Sequence, residues 1–140
     1  MFIFDTETPL LRPLALTRLD GNSVRLLWCL RRLALMAPLE SARCRAVHIA
    51  LQRDFGDAGL GIEHLLRCLL VGLARYASRR LAIATPGSAL LTDDEAAMLT
   101  LFTAPSASAL VALAGADAEP LLPLCQALQA LTQESDAAAR

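Results

Sequence analysis

The chain contains no lysine, and all thirteen of its basic residues are arginine. The absence excludes a phosphate-binding P-loop, whose lysine must reach the outer phosphates, although glycines at 56, 59 and 61 precede an apolar run. A helix C-cap followed by a turn accounts for those glycines instead. Aromatic residues make up only 4% of the chain and charged residues 19%. There is no run of about 18 uncharged apolar residues of the kind a membrane-spanning helix needs. The richest stretch, 62–77, is interrupted by Glu63, His64, Arg67 and Arg75.

No C-x-x-C spacing occurs, and Cys29, Cys44, Cys68 and Cys125 are scattered. Four dispersed thiols in a chain large enough to build a core read as reduced, packed residues and not as a disulfide framework. Residues 1–11 lack a basic segment and carry Asp5 and Glu7, unlike a secretory signal, so the expected location is cytoplasmic. No serine sits in a G-x-S-x-G setting. The adjacent carboxylates Asp93, Asp94 and Glu95 read as helix capping, so no catalytic residue emerges and no enzyme is expected.

Leucine and alanine dominate, with 30 and 26 copies. Both lose little entropy on entering a helix, so composition favours helix over sheet. At 140 residues the chain has the length of one domain and can bury about two-thirds of its unfolded surface. The expected fold is all-α, a compact bundle of about five to six helices. Residues 1–20, with Pro9 and Pro13, read as an extended N-terminal arm, with at most a short strand at 2–4. Residues 21–140 read as a single helical domain.

Helices are expected over 24–37, capped by Asn22 or Ser23 and stopped by Pro38, and over 39–55 and 60–78. The third has the clearest apolar face, through Ile62, Leu65, Leu66, Leu69, Leu70, Leu73 and Tyr76, and should form the centre of the core. A loop is expected through 85–88. Thr92 to Glu95 matches a capping box and starts a fourth helix ending near Thr103. Ser106 or Ser108 opens a short fifth that ends at Gly115, and a sixth follows Asp117 with an apolar stripe of Leu121, Leu124, Cys125, Leu128 and Leu131.

Two constellations can carry chemistry. Cys44 and His48, and His64 and Cys68, are each spaced i and i+4, one turn apart on a helical face. They are symmetric about Gly56, so an antiparallel hairpin can bring them level as a Cys2His2 zinc site. Against this, His64 lies near Arg67, Val71 and Arg75, opposite the leucine face, with Cys68 on the flank. No other cofactor is expected.

The second constellation is basic. Residues 12–80 hold twelve arginines against five acids, whereas residues 81–140 hold one arginine against seven acids. Arg25, Trp28, Arg31, Arg32, Arg43 and Arg45 place guanidinium groups beside an indole, the components of a nucleic-acid or anion surface. Solvated faces of leucine-rich helices carry the same residues.

The two halves can also attract one another across a dimer. The apolar excess, strongest in the first and sixth helices and in the arm, points to an interaction module that associates with itself or with another protein. Nucleic-acid binding through the basic half and a metal-binding hairpin are the alternatives.

Overall fold

The computed structural model describes residues 2–4, 11–13, 21–35 and 44–139. The chain forms an all-α fold, and its six helices among the described residues are α1 (Gly21–Ala34), α2 (Arg45–Phe55), α3 (Gly59–Tyr76), α4 (Asp93–Thr103), α5 (Ala107–Ala114) and α6 (Leu122–Ala139). Short 3-10 turns, Gly56–Ala58 and Ala116–Leu121, lead into α3 and α6. No helix among the described residues is long and apolar enough to cross a membrane.

α3 lies at the centre because its leucine stripe is wide enough to face several neighbours. Ile62, Leu66, Leu69, Leu70 and Leu73 are fully buried, and α1, α2 and α6 pack around them. Two glycines set the spacing. A Cβ on Gly59 would lie 2.6 Å from the backbone oxygen of Leu51, so α2 and α3 meet backbone to backbone. A Cβ on Gly72 would lie 2.5 Å from Leu121 Cδ2, on the side facing α6. The expected stripe of the sixth helix docks there: Leu121, Cys125 and Leu128 are buried, and Leu124 and Leu131 pack against the same core.

The start of α4 follows its sequence signal. Thr92 Oγ1 accepts from the Glu95 backbone N–H at 2.9 Å, and the Thr92 N–H donates to Glu95 Oε1 at 3.0 Å. Ser106 caps α5 by accepting from the Ala109 N–H. The first helix begins at Gly21, three residues before the expected start, so Asn22 and Ser23 lie inside it. The second begins at Arg45 instead of 39, and residues 36–43, including Pro38, lie outside the described residues.

The expected loop at 85–88 is present. It is flanked by two strands, β3 (Leu81–Ile83) and β4 (Leu90–Thr92), which pair with N-terminal strands β1 (Phe2–Phe4) and β2 (Leu11–Pro13). β1 runs parallel to β3, with Ile3 opposite Ala82, and β2 runs antiparallel to β4, with Arg12 opposite Leu91. The expected strand at 2–4 is present, and the other three are additions. Three-residue strands are too short to show a period-two pattern. The rest of the expected arm lies outside the described residues.

A buried ion pair locks this segment to the bundle. Arg31 of α1 is 2% exposed and Glu95 of α4 is fully buried. Their Nε–Oε2 distance is 2.6 Å, with a second bond from Nη2 to Oε1. Arg31 also donates to the carbonyls of Ser88 and Leu90, and Glu95 Oε2 accepts from the Ala84 N–H. A bidentate pair with its remaining donors satisfied is the arrangement that makes burial of both charges tolerable. Arg79 and Asp94 form a second pair, and Asp94 Oδ2 also accepts from the Ala82 N–H of β3.

Candidate interaction surface on α3

The four residues of the expected zinc hairpin are split among different partners. Cys44 sits at the N-cap of α2, buried, with its sulfur 3.8 Å from Arg32 Nη2. Burial alone would push its thiol up, but the Val47 N–H, the Arg32 guanidinium and the Ala46 N–H outweigh that and hold it below the ordinary value. His48 Nδ1 lies 2.8 Å from Glu63 Oε2. His64 instead faces Cys68, with Nε2 3.7 Å from the sulfur. The two i, i+4 pairs therefore do not converge, and among the described residues no three His, Cys, Asp or Glu side chains lie together to hold a metal ion. The leucine face of α3 turns into the core and leaves His64 on the outer side.

The proposed anion surface is likewise dispersed. Arg31 is committed to Glu95 and cannot reach a phosphate. Arg25 is exposed, bonds Asn22 Oδ1 and lies 3.8 Å from Asp54. Trp28 is partly buried, and the Arg32 guanidinium stands 5.6 Å from its ring centroid in a cation–π contact. Arg45 is exposed at the start of α2, and Arg43 lies outside the described residues. The aromatic read as a base-stacking platform thus already carries a guanidinium of its own chain.

The outer face of α3 gathers more chemistry than either set. An open groove of about 560 Å³ runs along it, past Leu60, Glu63, His64, Cys68 and Val71 to Arg75 and Tyr76, with Leu121 on one wall. Leu60 is 53% exposed and Tyr76 47%, so both ends of the groove carry apolar surface in water. Glu63 is buried at 3% exposure, and its Oε1 has no hydrogen-bond partner among the described residues.

Charge is polarised along this face. Exposed Asp57 stands in the turn before α3, Arg67 is at mid-helix and exposed Arg75 is in the last turn. The position of His64, Arg67, Val71 and Arg75 opposite the leucines was legible in the sequence. The participation of Leu60, Glu63 and Tyr76 was not, because periodicity separates core from surface without distinguishing a groove from an ordinary wet face. Tyr76 was expected on the core side, yet it stands at the rim.

The other thiols are held differently. Burial pushes Cys29 up to about 12, aided by Asp54, Cys44 and Glu63, and pushes Cys125 up to about 11. Both are packed neutral residues. No protein-family model matches the chain, nor does any curated protein or solved structure.

Proposed function

We propose that the protein is a self-associating interaction module whose docking surface is the outer face of α3. The feature that supports this most directly is the charge polarity of the helix, with exposed Asp57 in the turn before it and exposed Arg75 in its last turn. A two-fold axis across it sets two α3 helices antiparallel, so each acidic end meets the other copy's basic end. A polarised face of this kind is self-complementary, as an isologous dimer interface must be. Leu60 and Tyr76, each about half exposed, supply apolar area that such a contact removes from water.

Of the expected candidates for self-association, the first and sixth helices bury their apolar stripes within the chain, and most of the N-terminal arm lies outside the described residues. Among the described residues the outer face of α3 keeps two large apolar side chains, Leu60 and Tyr76, in water beside a groove. An 18-residue helix is about 27 Å long, and a stable interface needs about 800 Å² from each partner. The contact must extend onto α2 beside His48 and onto the turn carrying Leu121, which border the face. Reduced thiols and a non-catalytic role fit a cytoplasmic protein of this type.

Sedimentation equilibrium of the untagged chain at micromolar concentration tests the reading. A dimer that Leu60→Glu or Tyr76→Glu converts to a folded monomer is the expected result. A wild-type monomer throughout the micromolar range contradicts it.

A further inference from the structure

We propose that His64 and Cys68 are one half of a zinc-class divalent metal site that a second copy of the chain completes with its own His64 and Cys68. The inference rests on self-association through the outer face of α3 and adds a ligand to it.

The geometry begins with the 3.7 Å separation of His64 Nε2 and Cys68 Sγ. A tetrahedral ion with Zn–S of about 2.3 Å and Zn–N of about 2.0–2.1 Å holds its sulfur and nitrogen ligands about 3.6 Å apart. The two atoms thus already span one edge of such a tetrahedron. Residues at i and i+4 on a helix keep that edge in place without loop ordering.

Exposure agrees with a shared site. His64 is exposed and Cys68 partly so, and both line the groove, so an ion bound between them stays open to ligands from outside the chain. No third His, Cys, Asp or Glu among the described residues joins them. His48, the other described histidine, is held by Glu63. A two-fold axis at the level of these residues places each His64 near the second copy's Cys68 and supplies the missing pair. The same axis brings Arg75 level with the second copy's Asp57.

Two thiolates and two imidazoles form a soft, neutralising donor set that selects zinc or cobalt over magnesium or calcium. Each thiol gives up its proton to solvent on binding, so the site takes up one metal ion and releases two protons per dimer, and its affinity falls as pH falls.

The test titrates the full, untagged chain with zinc chloride, after EDTA treatment and removal of the chelator, under native mass spectrometry. Parallel sedimentation runs are made with zinc and with EDTA. The expected result is one zinc per two chains, a dimer dissociation constant lowered about tenfold or more by mass action, and loss of both effects in His64→Ala and Cys68→Ser. Cobalt(II) should give the visible absorption of a tetrahedral thiolate complex. A dimer in EDTA that zinc neither binds nor tightens overturns the metal site and leaves self-association standing. One zinc per chain on a monomer also overturns it. A monomer under both conditions overturns the site and the self-association reading together.

Discussion

Arg31 and Glu95 are the pair whose separation the fold should tolerate least. Glu95→Gln leaves the Arg31 guanidinium buried without a counter-charge, and losing one partner of a buried pair costs about 3–5 kcal/mol. Urea denaturation should show the loss in full, and Arg31→Met with Glu95→Leu together should recover only part of it, because the Ala84 and Thr92 N–H groups lose their acceptor. The capping role of Glu95 was legible in the Thr92 to Glu95 spacing. Its pairing with a residue 64 positions away was not, because local charge pattern carries no information about that distance.

The buried thiols make a second expectation at this scale. Cys29 is raised from 9.0 to about 12, so its contribution to stability is intact below pH 9 and is lost as pH climbs toward 12, where the unfolded thiol ionises and the folded one does not. Cys125 adds to the same trend toward about 11. The urea midpoint should fall between pH 9 and 10.5, and Cys29→Ala should flatten that fall while lowering stability throughout. A midpoint unchanged across that range would count against neutral packed thiols.

Among the elements, α3 shows how a sequence can be legible on one face and opaque on the other. Its leucine stripe specified the core directly, and five of its large apolar residues are fully buried. Two of its glycines, Gly59 and Gly72, differ in what they touch, which separates the outcomes of substitution. Gly59→Ala drives a methyl into the Leu51 backbone, which cannot step aside, and should cost about 1–3 kcal/mol despite alanine's higher helix propensity. At Gly72 the obstacle is the end of the Leu121 side chain, which can change rotamer, so Gly72→Ala should cost clearly less. Thermal unfolding of the two variants orders them. The strands β3 and β4 escaped the sequence because their partners, β1 and β2, lie in the N-terminal segment and three-residue pairings leave no periodic trace.

For the whole molecule, the apolar excess that pointed to a second subunit is largely absorbed by the chain's own bundle, and α1 is covered by its neighbours. Among the described residues a groove runs along the outer side of α3, with Leu60 and Tyr76 exposed at its ends, and the helix carries Asp57 before its start and Arg75 in its last turn. The uneven charge of the two halves was visible in composition. The polarity that matters for a two-fold contact runs along a single helix and became visible only with its core face assigned. Asp57 and Arg75 are both exposed, and circular dichroism of each variant checks that the bundle stays folded. Sedimentation equilibrium of Arg75→Asp, Asp57→Arg and the double variant tests self-association through this face most directly. Each single reversal should weaken the dimer and the double exchange should restore it. Equal behaviour of all three and the wild-type chain would contradict the account.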